Sequence, residues 1–116
     1  MTAVDLLLVG IGGACGAVGR HAVGRALSGR RSLVAVNVAG SLLLGAVLAA
    51  PLSPSAMRFA GVGFCGAFTT FSSVAVEVAT LTDEGRSGAA AALAGGTLIA
   101  ALSAVLLGAA AVEAAW

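Results

Sequence analysis

Polar side chains interrupt the apolar runs of this sequence, and their types and spacing could serve an ion. Asn37 lies four residues before Ser41, which puts an amide and a hydroxyl on one face of a helix. Residues 63–74, GFCGAFTTFSSV, hold four hydroxyl residues and three phenylalanines in one hydrophobic stretch. The positive edges of phenylalanine rings attract an anion without a full charge that would trap it, so Phe68 and Phe71 could line an anion path. Nothing resembles a catalytic or nucleotide-binding loop, and we do not expect an enzyme.

Each of these residues also has a purely structural interpretation. An asparagine in a membrane helix can hydrogen-bond a neighbouring helix, and phenylalanines can simply fill a core. Arg20 lies about two thirds along the first apolar run, where a buried charge costs about 2.5 to 3.5 kcal/mol unless it faces a cavity or a partner. Near the membrane surface, however, a long arginine can extend its guanidinium into water. The residues alone leave both interpretations open.

The middle of the third apolar run indicates a break in its helix. Gly66, Thr69 and Thr70 fall together there. A break frees backbone carbonyls, and at membrane depth these are tolerated only where protein, water or an ion satisfies them. A cation bound by backbone oxygens would satisfy them.

The composition predicts that these residues lie in a lipid bilayer. Of 116 residues, 59% are hydrophobic and 9% are charged, whereas soluble domains are about 25% charged. The mean hydropathy of +1.08 extends over the whole chain. We therefore predict one all-α transmembrane domain over residues 1–116 and no soluble domain.

Four apolar runs are long enough to cross a bilayer core of about 30 Å, which takes about 20 helical residues. Pro51 and Pro54 separate the second run from the third, since proline cannot continue a helix. The first charge is Asp5, so the first run is expected to be retained rather than cleaved. Short loops make sequential helices antiparallel neighbours. The predicted spans are about 3–27, 33–50, 56–81 and 89–111.

The charged residues, cysteines and glycines each limit what this chain can bind or how its helices pack. Six arginines, no lysine and five acidic residues give a net charge of +1, which predicts no nucleic-acid binding. The two cysteines have neither disulfide nor zinc spacing and are expected to be small packing residues. Gly12, Gly16 and Gly24 share a face with Arg20, which predicts close helix contact there.

Three motifs together resemble the Fluc (CrcB) family of fluoride channels. They are GGACGAVGRH from Gly12, NVAGSLLLG from Asn37 and GFCGAFTTFSSV from Gly63, in the same order and the same spans. The resemblance covers nearly all of the chain. It implies a passive, fluoride-specific channel in the bacterial inner membrane that reduces fluoride toxicity. It also implies an antiparallel dimer with two narrow pores, a third helix broken near its middle, and a structural sodium ion at the dimer interface.

The resemblance also assigns roles to single residues. The backbone carbonyls of Gly66 and Thr69 would bind the sodium ion, and Glu77 matches an acid of the third helix. The implied anion path consists of Arg20, Asn37, Phe71, Ser72 and Thr97. Two positions depart from the family pattern: Val74 stands where a second phenylalanine is usual, and Ala101 where a second hydroxyl is usual. Both departures remove pore polarity.

The arginines predict a fixed orientation. Arg25, Arg30, Arg31 and Arg86 flank one side of the bundle and only Arg58 the other, which favours both termini outside the cell. The expected partner is therefore a homologous subunit of opposite orientation, and self-dimerisation is the alternative.

Two other classes of protein are alternatives to the channel. A small four-helix proton-coupled multidrug exporter needs a carboxylate deep in the first span, where this chain has only Asp5 at the start. A non-transporting membrane assembly protein would leave the constellation of Asn37, Gly66 and Phe71 unexplained.

Overall fold

The computed structural model describes all 116 residues and contains helices but no strands. Four helices are long and apolar enough to cross a membrane, which confirms an all-helical chain with four candidate spans. They overlap the predicted spans. Their bounds are α1 Ala3–Ala26, α2 Arg30–Ala49, α3 Pro54–Asp83 and α4 Ser87–Ala115.

Local sequence signals explain where these helices begin. The Thr2 side chain accepts a hydrogen bond from the Asp5 N–H, and the Asp5 carboxylate accepts one from the Thr2 N–H, which forms a capping box for α1. Asp5 also pairs with Arg58 of α3 at 2.9 Å. This contact ties the first turn of α1 to the start of α3.

Glycine permits a left-handed backbone in two of the turns between helices. Gly29, before α2, and Gly85, before α4, have φ angles of +63° and +77°, which side chains with a Cβ rarely adopt. Ser53 caps α3 by accepting a hydrogen bond from the Ala56 N–H, and Pro54 occupies the first turn, where a missing N–H does no harm.

Glycines also hold α1 against the first half of α3. A Cβ at Gly12 would overlap the Phe59 carbonyl oxygen, and a Cβ at Gly16 would overlap the Phe64 carbonyl oxygen. The close approach predicted for these two glycines is confirmed. A Cβ at Gly24 would meet no atom of another helix within 4 Å, so the predicted contact does not extend to the end of α1.

A second close pair joins α2 and α4. A Cβ at Gly45 would overlap the Val105 carbonyl oxygen, and a Cβ at Gly108 would overlap the Leu42 carbonyl oxygen. Contact between helix backbones gains dispersion energy that lipid tails cannot match. The bundle therefore consists of two glycine-packed pairs, α1 with α3 and α2 with α4. The prediction that sequential helices are the main neighbours is wrong, because these glycines allow the closest contact between helices that are not consecutive in the chain, and α1 and α2 touch little.

The third helix changes its geometry along its length. Its turns are widened to the π form over Arg58–Cys65 and return to the α form over Gly66–Phe68. Helical geometry then stops for residues 69–71, where Thr69 has extended backbone with φ −79° and ψ 160°, and resumes over Ser72–Asp83. The predicted break is thus partly present, as a local interruption within one span. The first half of α3 packs on α1, whereas the second half packs on α4.

We predict that Gly45→Ala and Gly108→Ala each destabilise the protomer by about 1 to 3 kcal/mol, because the added methyl group forces α2 and α4 apart. Gly96→Ala is the matched control, since its Cβ would meet nothing within 4 Å. The measurement is the midpoint of thermal loss of monodisperse protein in detergent. Equal midpoints for all three variants would contradict this account of the α2–α4 contact.

Candidate ion site at the break in the third helix

The break in α3 is held by a side chain of α2. Asn37, which is only 8% exposed, donates from Nδ2 to the Thr70 carbonyl oxygen at 3.1 Å. The Thr70 N–H donates in return to Asn37 Oδ1 at 2.8 Å. Asn37 thus pairs with both backbone groups of one residue. At this depth those groups need such a partner, because lipid offers none.

Next to these two hydrogen bonds, the backbone carbonyl oxygens of Gly66 and Thr69 have no hydrogen-bond partner. In a continuous helix the Thr70 N–H would donate to the Gly66 carbonyl, four residues earlier. Here that N–H is bonded to Asn37 instead. No backbone hydrogen bond made outside the helices reaches the carbonyl oxygen of Gly66 or Thr69. Both carbonyls implied by the resemblance therefore lie where the helical ladder is interrupted.

The hydroxyls at the break bond to nearby backbone. Thr69 Oγ1 donates to the Cys65 carbonyl at 2.9 Å. Thr70 Oγ1 accepts from the Ser73 N–H at 3.2 Å and so satisfies an amide in the first turn of the second half of α3. The side chains of both threonines stabilise the ends of the two half-helices.

A groove of about 620 Å³ opens beside the break, between α2, the second half of α3 and α4. It brings together three residues of the implied anion path: Asn37, Phe71 and Thr97. Both departures from the family pattern, Val74 and Ala101, also line it. Its polar side chains are those of Asn37, Ser41, Thr69, Thr70 and Thr97.

Thr97 supplies a hydroxyl with no partner in the protomer. The residue is 9% exposed, and its Oγ1 makes no hydrogen bond. A buried hydroxyl without a partner costs free energy, and such a group in a native structure calls for an explanation. A ligand in the groove would provide one.

Ser41 is a groove residue that the resemblance did not assign, although its spacing from Asn37 put both on one face. Its hydroxyl makes no hydrogen bond, whereas Thr80 and Thr82 each bond a carbonyl one turn earlier. Ser41 therefore adds a hydroxyl to the groove that contains Ala101.

Phe71 and Gly66 face outward from the protomer. Phe71 is 87% exposed although it borders the groove. Gly66 is exposed as well, and nothing lies within 4 Å of where its Cβ would be. The protomer therefore presents a ring and an accessible backbone segment at the middle of α3, where another molecule could approach.

Arg20 and Ser72 do not line the groove. Arg20 is half-buried on α1 and takes part in neither ion pair of the protomer. Ser72 borders a smaller polar pocket of about 490 Å³ with Ser32 and Glu77. Glu77 accepts a hydrogen bond from Arg30 Nε at 2.7 Å, which links α2 to the second half of α3.

Backbone oxygens at the break are candidate ligands for a cation. The chain contains no cluster of three or more His, Cys, Asp or Glu side chains that could hold a metal ion. Carbonyl oxygens are hard ligands that can replace the hydration shell of an alkali cation. The free carbonyls at Gly66 and Thr69 fit such an ion in chemical type, although one protomer offers few of them.

The fold and the groove together define a small four-helix membrane protein with polar side chains in a groove beside a break in its third helix. Residues 7–109 match the family described as CrcB-like protein, Camphor Resistance (CrcB). The chain belongs to this family.

Several relatives cover most of the chain. A protein of Natronomonas pharaonis named fluoride-specific ion channel FluC 2 is 52% identical over 93% of this chain and 94% of its own length. Fluoride-specific ion channel FluC of Chlorobium luteolum is 43% identical over 72% of each chain. The protein of that name from Methanocaldococcus jannaschii is 40% identical over 70% of this chain and 72% of its own length.

We predict that substitutions of two threonines of the groove differ in their effect on stability. Thr70→Val removes the hydroxyl that accepts from Ser73 and should cost about 1 kcal/mol. Thr97→Val replaces an unpartnered buried hydroxyl by a methyl group and should leave stability unchanged or raise it. Thermal midpoints in detergent, measured without fluoride, test both. A large loss for Thr97→Val would reveal a partner for this hydroxyl.

Proposed function

We propose that this chain is a subunit of a fluoride-specific channel that lets fluoride leave the cytoplasm passively. The observation that carries the proposal is the groove that brings Asn37, Phe71 and Thr97 together beside the break in α3. The names of the relatives support fluoride as the ion. The proposal is transport rather than enzymatic catalysis.

Acid–base chemistry explains why a passive channel suffices. Hydrogen fluoride is a weak acid that crosses lipid as a neutral molecule and ionises in a near-neutral cytoplasm. A membrane potential that is negative inside then expels the anion, with a drive of about 2.3 kcal/mol per 100 mV. Efflux therefore lowers fluoride toxicity without an energy source of its own. The proposed location is a cell membrane, with the bacterial inner membrane as the expected one.

The groove offers weak and successive contacts to a small anion. One N–H of the Asn37 amide is bonded to Thr70, which leaves the second to donate to fluoride. The edge of the Phe71 ring is electropositive, and the hydroxyls of Ser41 and Thr97 can donate. Conduction needs binding that is strong enough for entry and weak enough for exit, and partial charges provide this balance.

The protomer supports an antiparallel dimer with a structural sodium ion at its interface. Free carbonyls at Gly66 and Thr69 cannot face lipid tails, and Gly66 is open to close approach. In the proposed dimer the broken third helices cross there, and each supplies carbonyl oxygens to the ion. The ion would neutralise the partial negative charge of these oxygens and hold the subunits together. The exposed Phe71 ring would be covered in the same contact.

The charge distribution favours a partner that is a homologous subunit inserted the other way up. The side that carries the termini has one arginine near a span end, Arg58, and this arginine is paired with Asp5. The other side carries four arginines, of which only Arg30 is paired with an acid. Such a bias fixes the orientation of one chain. Val74 and Ala101 line this chain's own groove, and their departure from the family pattern fits a heterodimer in which the groove of one subunit has lost polar contacts.

A proton-coupled multidrug exporter is less well supported by the protomer. Such an exporter needs a titratable carboxylate deep in the first span. The only acid of α1 is Asp5, which is bonded to Thr2 at the helix start and to Arg58. Asp5 therefore serves the capping box and the α1–α3 contact.

We predict that Asn37→Ala, Phe71→Ala and Ser41→Ala each slow fluoride efflux from liposomes, since each removes a group that stabilises the partly dehydrated anion. Asn37→Ala should reduce the rate by about tenfold or more, since a hydrogen bond to a charged group is worth about 1.5 to 3 kcal/mol. The matched control is Ser103→Ala, which removes an exposed hydroxyl of α4 outside the groove. A fluoride electrode measures the rate after the potential is set with valinomycin. Parental rates in all three groove variants would show that fluoride takes another path.

A separate prediction concerns the partner. This chain expressed and reconstituted alone should give little fluoride efflux, and co-expression with an oppositely biased homologous subunit should restore it. The control is the same reconstitution of a family member that works as a homodimer. Robust efflux from this chain alone would remove the heterodimer and leave the antiparallel homodimer.

A further inference from the structure

Asn37 makes contacts that a residue serving only as a pore amide would not need. Both polar atoms of its side chain bond to one backbone unit, 33 residues away in the sequence. The pair is buried, and Thr70 is held beside a residue with extended backbone. The side-chain amide thus replaces a backbone peptide group, because it offers one acceptor and one donor to the backbone of the same residue.

We propose that Asn37 is the positioning residue of the cation site, because it takes the Thr70 N–H and so leaves the Gly66 carbonyl oxygen free to bind an alkali cation. The inference rests on the proposed function, and it assigns to the pore asparagine a second task at the neighbouring site. One side chain then acts on both ions. Its Oδ1 accepts the Thr70 N–H and so keeps the Gly66 carbonyl oxygen free for the cation, and its second Nδ2 hydrogen faces the anion groove.

The physical reason is competition for a single donor. The Thr70 N–H can bond to Asn37 or, if α3 closes into a continuous helix, to the Gly66 carbonyl. Without the amide, both backbone groups of Thr70 would lack a partner at membrane depth, which is costly. Closure of the helix repairs this loss, but it occupies the Gly66 oxygen. Loss of the amide should therefore remove a cation ligand that Asn37 never touches.

Two substitutions separate this task from anion binding. A protonated aspartic acid has a carbonyl oxygen and an O–H arranged like the oxygen and N–H of the amide, so Asn37→Asp keeps both bonds to Thr70 while its carboxyl group is protonated. It lacks the second N–H that would donate to the anion. Asn37→Leu has a similar size and keeps neither bond. Ser41→Ala is the matched control, since it changes the same face of α2 and leaves the bonds of Asn37 in place.

The experiment measures the thermal midpoint of each purified protein, assembled as its functional dimer, in sodium chloride and in N-methyl-D-glucamine chloride. We expect sodium to raise the midpoint of the parental protein, of Asn37→Asp and of Ser41→Ala. Asn37→Leu should lose this sodium-dependent shift. If Asn37→Leu does not fold, Asn37→Ala removes the same two polar atoms with less steric change and takes its place.

A sodium-dependent shift retained in both Asn37→Leu and Asn37→Ala would overturn the inference, and so would the lack of a shift in the parental protein. Fluoride efflux is measured separately on the same preparations. A parental protein that responds to sodium but passes no fluoride would refute the channel and leave the role of Asn37 at the cation site standing. Loss of efflux in Asn37→Asp together with a retained sodium shift would support both tasks of the residue.

Discussion

The backbone of Thr70 must be satisfied inside the membrane, and much of this protein's architecture depends on how that is done. Lipid tails offer no hydrogen bonds, so the N–H and C=O of this residue need protein partners. Asn37 supplies both, at 2.8 and 3.1 Å. Because these bonds replace helical ones, α3 can stop being helical over residues 69–71 without leaving Thr70 unpaired. The asparagine therefore makes an irregular segment possible in the middle of a hydrophobic span.

The interruption lets α3 change its packing partner. Before it, Gly12 and Gly16 bring the backbone of α1 against α3, and no side chain could fit between them. After it, the chain packs on α4, while α4 is held to α2 through Gly45 and Gly108. The groove is the space that remains between α2, α4 and the second half of α3. Its position is a consequence of the break, and its polar side chains come from all three helices.

Hydropathy was sufficient to predict the four spans, because a bilayer selects the length and polarity of a helix more strictly than water does. The composition around Gly66 and Thr69 was sufficient to indicate a disturbed helix. The partner of Asn37 could not be predicted from the residues, since a contact across 33 positions depends on how α2 is rotated toward α3. For the same reason, the spacing of Gly16 and Gly24 could not show that only the first packs closely.

Helix rotation also decides which of the site residues implied by the resemblance lie together. Asn37, Phe71 and Thr97 share a groove, whereas Arg20 and Ser72 lie outside it in the protomer. A protomer in which Phe71 is 87% exposed has its path open to one side, and lipid tails cannot serve as the missing wall of an ion pathway. A second subunit would close that side and, in the same contact, satisfy the free carbonyls of α3. On this reasoning the proposed anion path and the proposed cation site would both follow from a single requirement: the interrupted helix must be covered by protein and not by lipid.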